Sequence, residues 1–187
     1  MGLRKGYLEY ITESINATLG DVRGKRMLEL GNQSIPGDDF PEKTGKEYFT
    51  NRGAEHTSVD LNEEDGALKL DLSRPKQFAA YRGYFDIVTN AGTSEHVEPR
   101  QAQYECFKII HDCLRLGGIA IHIIPDVNEL ETKGCWKGHC CNYYSHEFLK
   151  MLSECNSYKL DTVKIINGHL CACLQKMEDR PFMKDRR

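Results

Sequence analysis

Apolar residues recur at helical spacing at Tyr7-Leu8, Ile11, Ile15 and Leu19, just ahead of Gly20. That period predicts an amphipathic first helix stopped by the glycine. Residues 25–30 form a short strand-like run, and further β-like runs at 56–61 and 68–72 each end at or beside an acid, Asp60 and Asp71. Residues 85–89 predict another strand. Between 100 and 116, Tyr104, Phe107, Ile110 and Leu114 lie near one stripe, which reads as a helix stopped by Gly117-Gly118. The run 119–124 is nearly all apolar, as expected of a strand covered by helices on both faces. A further helix is predicted at 145–155, and 159–166 with 169–175 reads as an antiparallel pair turning at Asn167-Gly168. Strands alternating with helices and then closing in a hairpin predict an α/β fold, a doubly wound and mostly parallel sheet with flanking helices. Its ligands belong beyond the carboxyl ends of the strands.

Composition narrows this picture. A chain of 187 residues suits one hydrophobic core, so residues 1–178 are expected to form a single domain followed by a charged tail, 179–187. Residues 34–53, with two prolines, three glycines and mixed charge, read as a surface insertion, and 125–144 as a substrate-side loop. The net charge of −3 provides no field to hold a nucleic-acid backbone, and no stretch approaches a membrane span. With no apolar secretory leader, the eight cysteines are expected to be reduced thiols, mostly small core residues, in a cytoplasmic protein.

The candidate chemistry sits at the strand ends. Met27-Leu28-Glu29-Leu30-Gly31-Asn32-Gln33 places an acid before a glycine at a strand-to-loop turn, where a backbone passing under a ligand needs the missing Cβ. A carboxylate there, in place of a glycine cluster that cradles pyrophosphate, suits a cofactor with a cationic amino-acid end. Asp60 can accept two ribose hydroxyls, and Asp71 an adenine amino group; each also reads as a helix N-cap. Three acids at successive strand ends are hard to explain by capping alone.

At this point the sequence resembles the class I S-adenosylmethionine-dependent methyltransferases, through Leu28-Glu29-Leu30-Gly31, Val59-Asp60-Leu61, Leu70-Asp71-Leu72, Phe85-Asp86-Ile87-Val88 and the helix leading into Leu116-Gly117-Gly118. The resemblance spans about residues 25–175, and the order of the blocks is its specific part. It implies S-adenosylmethionine as cofactor, with Glu29, Leu30, Gly31 and Asn32 by the methionine moiety, Asp60 and Leu61 at the ribose, and Asp71 and Leu72 at the adenine. Asn90-Ala91 would line the mouth through which the methyl group passes. One departure stands out: the glycine-rich loop is reduced to Gly31, followed by Asn32, Gln33 and Ser34.

Methyl transfer to a hydroxyl or amine of a small-molecule acceptor needs a group that takes its proton, and histidine suits that task near neutral pH. Glu95, His96, His122 and His139 are the candidates near the carboxyl edge. His139 ranks first, as a loop histidine between Trp136 and Tyr143-Tyr144, whereas His122 sits within an apolar strand. Cys135, His139, Cys140, Cys141 and His146 lack a Cys-x-x-Cys pair, so no metal is expected. Two rival readings remain: a cofactor-binding module without catalysis, and a nicotinamide-dependent oxidoreductase, which the absent Gly-x-Gly-x-x-Gly disfavours.

Overall fold

The computed structural model describes residues 2–183 and has a central sheet of eight strands. Helix α1 (Lys5–Leu19) buries Tyr7, Leu8, Ile11 and Ile15 along one face and ends at Gly20, whose φ of 81° and bond from its N–H to the Asn16 carbonyl close the last turn. Strand β1 (Arg26–Leu30) pairs in parallel with β2 (Glu55–Asp60) on one side and with β4 (Phe85–Ala91) on the other. The two-residue β3 (Leu68–Lys69) extends the β2 edge. Strand β5 (Leu114–Pro125) is parallel to β4 and antiparallel to β8 (His169–Lys176). Strands β6 (Tyr158–Leu160) and β7 (Lys164–Ile166) both pair with β8. The order β3-β2-β1-β4-β5-β8-β6 reverses direction of winding between β1 and β4, so the ligand crevice of such a sheet lies at their carboxyl ends.

Alternation along the strands divides the core. Met27, Ile87, Ile119, Ile121 and Cys171 pack toward α1 and α2 (Gly45–Asn51), while Leu28, Val88, Ala120 and Ala172 pack toward α3 (Arg100–Cys113) and α5 (His146–Cys155). All eight cysteines are free and five are buried. No helix among the described residues is long and apolar enough to cross a membrane.

Several boundaries differ from the periodicity reading. Helix α3 ends at Cys113, because Leu114 already pairs with Phe85; Gly117, at φ 77°, lies inside β5 and caps no helix. Gly118 sits where a Cβ would approach the Asp86 carbonyl to 2.9 Å, which only glycine permits without a shift. The expected strand at 159–166 is broken into β6 and β7, and β7 alone turns into β8 through Asn167 and Gly168, both at positive φ. Residues 34–53 are mostly exposed but include α2, capped by Thr44, which packs Tyr48 and Phe49 into the core beside Ile35. A short helix, α4 (Val127–Lys133), occupies part of the 125–144 loop. The charged tail is ordered where it is described: Met183 N–H donates to Asn156 Oδ1 at 2.6 Å, and the Arg180 carbonyl meets the His111 ring at 2.7 Å. Its last four residues, 184–187, lie outside the described residues.

Candidate functional site

The exit of β1 is built around Gly31, at φ 80°. A Cβ there would lie 2.5 Å from Thr93 Oγ1 and 2.6 Å from Gln33 Nε2. Those two side chains form a latch across the crevice: Gln33 Nε2 donates to Thr93 Oγ1 at 3.1 Å, and that hydroxyl donates to the Leu30 carbonyl at 2.7 Å. On the β2 side, Asp60 joins two loops, its Oδ2 accepting from Asn32 N at 2.8 Å and its Oδ1 from Asn62 N at 3.1 Å. Leu61 is 62% exposed beside it, and Leu30 is in the core. Asn32 continues the loop with a side-chain bond to Asp65.

Glu29 points elsewhere than the mouth. Its alternation along β1 turns the carboxylate toward α2, where Oε1 accepts from Gln33 N at 3.2 Å and Oε2 lies 3.7 Å from His56 Nε2 with no hydrogen-bond partner. At Gly45 a Cβ would fall 2.1 Å from that Oε2, so any side chain at the first residue of α2 would displace the carboxylate from this position. Gln33, Gly45 and His56 therefore belong to this part of the site, and no periodic signal marks them in the sequence. Asp71 closes its own turn. Its Oδ1 accepts from both Ser73 N and Ser73 Oγ, and Arg74 Nε sits 3.2 Å from Oδ2; the Ser73 bonds hold its carboxyl below the usual range. Asp71 thus closes a local turn and caps no helix, while Leu72 beside it is buried.

At the end of β4 a buried polar network replaces an open wall. Asn90, fully buried, accepts from Ser94 N through Oδ1 and donates through Nδ2 to Ser94 Oγ and His122 Nδ1. Tyr144 Oη donates to Ser94 Oγ at 3.0 Å, linking the network to the loop after α4. The His122 ring is 1% exposed and lies 5.6 Å from the Phe107 ring, and burial pushes its pKa down to about 4. It is a neutral core histidine. Ala91 is 2% exposed.

The remaining candidates converge. Glu95 lies in the turn after β4, fully buried, with neither carboxylate oxygen hydrogen-bonded, and burial pushes its pKa up to about 7. Its carbonyl accepts from Cys141 N, Asn142 N and Asn142 Nδ2, which ties the loop carrying His139 to the loop carrying His96. The exposed His96 and His139 rings meet edge to face at 5.0 Å. Burial, and then the neighbouring His139, lower the His96 pKa. Trp136 packs against His139 at 5.2 Å and His169 at 4.5 Å, and His169 meets the Tyr7 hydroxyl at 2.9 Å. Tyr143 donates its hydroxyl to the Trp136 carbonyl in the His139 loop, and with Tyr144, Phe107, Phe148 and Phe182 it lines a cavity of about 780 Å³ between α3, α5 and the tail.

No protein-family model matches the chain, and no curated protein matches it in sequence. Solved structures do match in fold. A 1,6-didemethyltoxoflavin-N1-methyltransferase from Burkholderia thailandensis, bound to 1,6-didemethyltoxoflavin and S-adenosylhomocysteine, is similar at TM-score 0.62 and 17% identity, over 89% of this chain and 76% of that one. A SAM-dependent methyltransferase from Archaeoglobus fulgidus is similar at TM-score 0.61 and 15% identity, over 90% and 94% of the two chains. The N-methyltransferase NodS from Bradyrhizobium japonicum, in complex with S-adenosylhomocysteine, is similar at TM-score 0.59 and 14% identity, over 94% and 89%. Proteins described as carbon and O-methyltransferases share the fold as well. With its parallel strands wound about the β1–β4 boundary and its antiparallel carboxyl-terminal strands, the chain has the fold of the class I S-adenosylmethionine-dependent methyltransferases.

Proposed function

We propose that the chain is a cytoplasmic enzyme that binds S-adenosylmethionine at the carboxyl ends of β1, β2 and β4 and methylates a small molecule at oxygen or nitrogen. One observation carries the reading. Asp60 stands half-buried at the end of β2, beside Gly31, and each of its oxygens accepts a single bond from the chain. An ionised carboxylate has about four acceptor sites, so two ribose hydroxyls find free lone pairs there. Glu29 lies behind this point under α2, 3.7 Å from His56, and bears on the site only through its bond from Gln33 N. On these grounds the residues fit the cofactor. Release of the Gln33–Thr93 latch would uncover the Gly31 backbone and Asn32, while exposed Leu61 offers apolar surface to the ribose and Leu30 and Leu72 stay in the core.

When bound, S-adenosylmethionine supplies a methyl group activated on a cationic sulfonium sulfur. The chain's own groups then have to orient the acceptor, exclude water and take its proton. His139 is the residue we assign to the proton, with His96 and Glu95 beside it and Trp136 packed against one side of its ring. The net negative charge favours a small acceptor over a nucleic acid. Eight free thiols are consistent with a reducing compartment.

The test is calorimetry of S-adenosylmethionine binding to the wild type and to Asp60→Ala. Loss of a charged acceptor should weaken binding by about 1–3 kcal/mol, and NAD should not bind comparably. Equal affinity in a folded variant, or tight NAD binding, would overturn the assignment.

A further inference from the structure

Glu95, His96 and His139 come from two loops far apart in the chain, yet each offers one ligand atom and these atoms all lie within 4.8 Å of one another. The buried member decides what the cluster is for. Glu95 is 0% exposed, and both of its carboxylate oxygens lack a partner. A buried carboxylate in that condition calls for a cation or a proton. The two imidazoles, being exposed, present lone pairs from the solvent side of the same point.

We infer that Glu95, His96 and His139 form a binding site for one divalent transition-metal ion. Two imidazoles and one carboxylate are the donor set of open zinc and iron(II) sites, which leave coordination positions for water or substrate. Ligand atoms about 2.0–2.2 Å from a common ion stand roughly 3–3.5 Å apart, so the cluster must tighten by about an ångström. The exposed His96 and His139 rings have room to turn inward, and Glu95 already lies at the back. Its scaffold is rigid: the Glu95 carbonyl takes three bonds from Cys141 and Asn142, which holds the His139 loop against the His96 turn. No cysteine is required, and this is why the Cys135–Cys141 spacing that argued against a metal does not speak to this set.

The site does not depend on the methyltransferase reading. If both hold, a bound ion would take an acceptor hydroxyl as ligand and lower its pKa, the proton passing to water, so that His139 would serve as ligand and not as the base.

The test uses the full chain, stripped with chelator and titrated with zinc sulfate by calorimetry and with cobalt(II) chloride by visible absorption, without S-adenosylmethionine. We expect one ion per chain, with Glu95→Gln and His139→Ala each weakening affinity at least tenfold, and a Cys135→Ser/Cys140→Ser/Cys141→Ser variant unchanged. The cobalt spectrum should lack a thiolate charge-transfer band. Circular dichroism checks folding, and His96→Ala stands in for either variant that fails to fold. Absence of stoichiometric binding, a thiolate band, or binding lost in the serine variant but kept in Glu95→Gln would overturn the proposal. Because cofactor binding is not read, failure here leaves the Asp60→Ala result standing on its own.

Discussion

Acid should weaken this fold in a way that can be traced to His122. The ring is fully buried, its Nδ1 accepts from Asn90 Nδ2, and burial brings its pKa down from 6.5 to about 4. A proton on Nδ1 would face a donor and not an acceptor, which is the local reason that the charged form is refused. The folded pKa lies below the unfolded one, so between them the unfolded chain binds a proton that the folded chain does not. The stability contributed by neutral His122 is therefore complete above pH 6.5 and is lost as pH falls toward 4. At about 1.4 kcal/mol per pH unit, that difference amounts to about 3 kcal/mol in full and about 2 kcal/mol at pH 5. His169, also brought down to about 4 by burial, adds a loss of the same sign. Glu95 opposes both: its pKa is raised to about 7, so its contribution is present at low pH and is lost as pH rises. A comparison of wild type with His122→Asn removes these common terms, since asparagine keeps an acceptor for Asn90. In urea, with a slope of about 2 kcal/mol/M, the midpoint difference between the two proteins should shrink by about 1 M from pH 7.5 to pH 5. A difference that stays constant across that range would refute the buried, neutral assignment.

Gly45→Ala would drive a methyl group onto Glu29 Oε2, which allows only 2.1 Å, so thermal unfolding should show a loss of about 1–3 kcal/mol; a wild-type melting temperature would mean that Glu29 does not sit beneath α2. Gly31→Ala combines φ 80° with contacts of 2.5 Å and 2.6 Å, and should cost at least about 1–2 kcal/mol while displacing the Gln33–Thr93 latch; unchanged stability by urea titration would contradict that geometry. Once an acceptor is identified, His139→Ala should lower turnover about 10²–10⁴-fold and leave cofactor affinity unaltered, and full turnover in the variant would remove His139 from the chemistry.

The order of strands and helices could be read from the sequence because each depends on a local period: the 3.6-residue stripe of α1, the apolar run of β5, the turn residues Asn167 and Gly168 before β8. Short elements escaped. Helix α2 has seven residues and α4 has seven, too few for a stripe to declare itself. Helix α3 stops short of its apolar stripe because pairing of Leu114 with Phe85 in the sheet outweighs the helical pattern that runs on toward Gly117.

For the site, spacing along the chain is enough to say which residue types stand at the strand ends: an acid and then a glycine at the end of β1, an acid as the last residue of β2, and a polar turn after β4. These follow from chain order in a doubly wound sheet, which carries every parallel strand's exit to one edge. Where those side chains point follows from packing in the folded chain. Strand alternation turned Glu29 under α2, close packing beside Phe107 made His122 a neutral core residue, and bonds from one loop to the Glu95 carbonyl brought His139 to His96. Such placements depend on contacts between residues remote in the chain, and spacing along a single sequence carries no record of them.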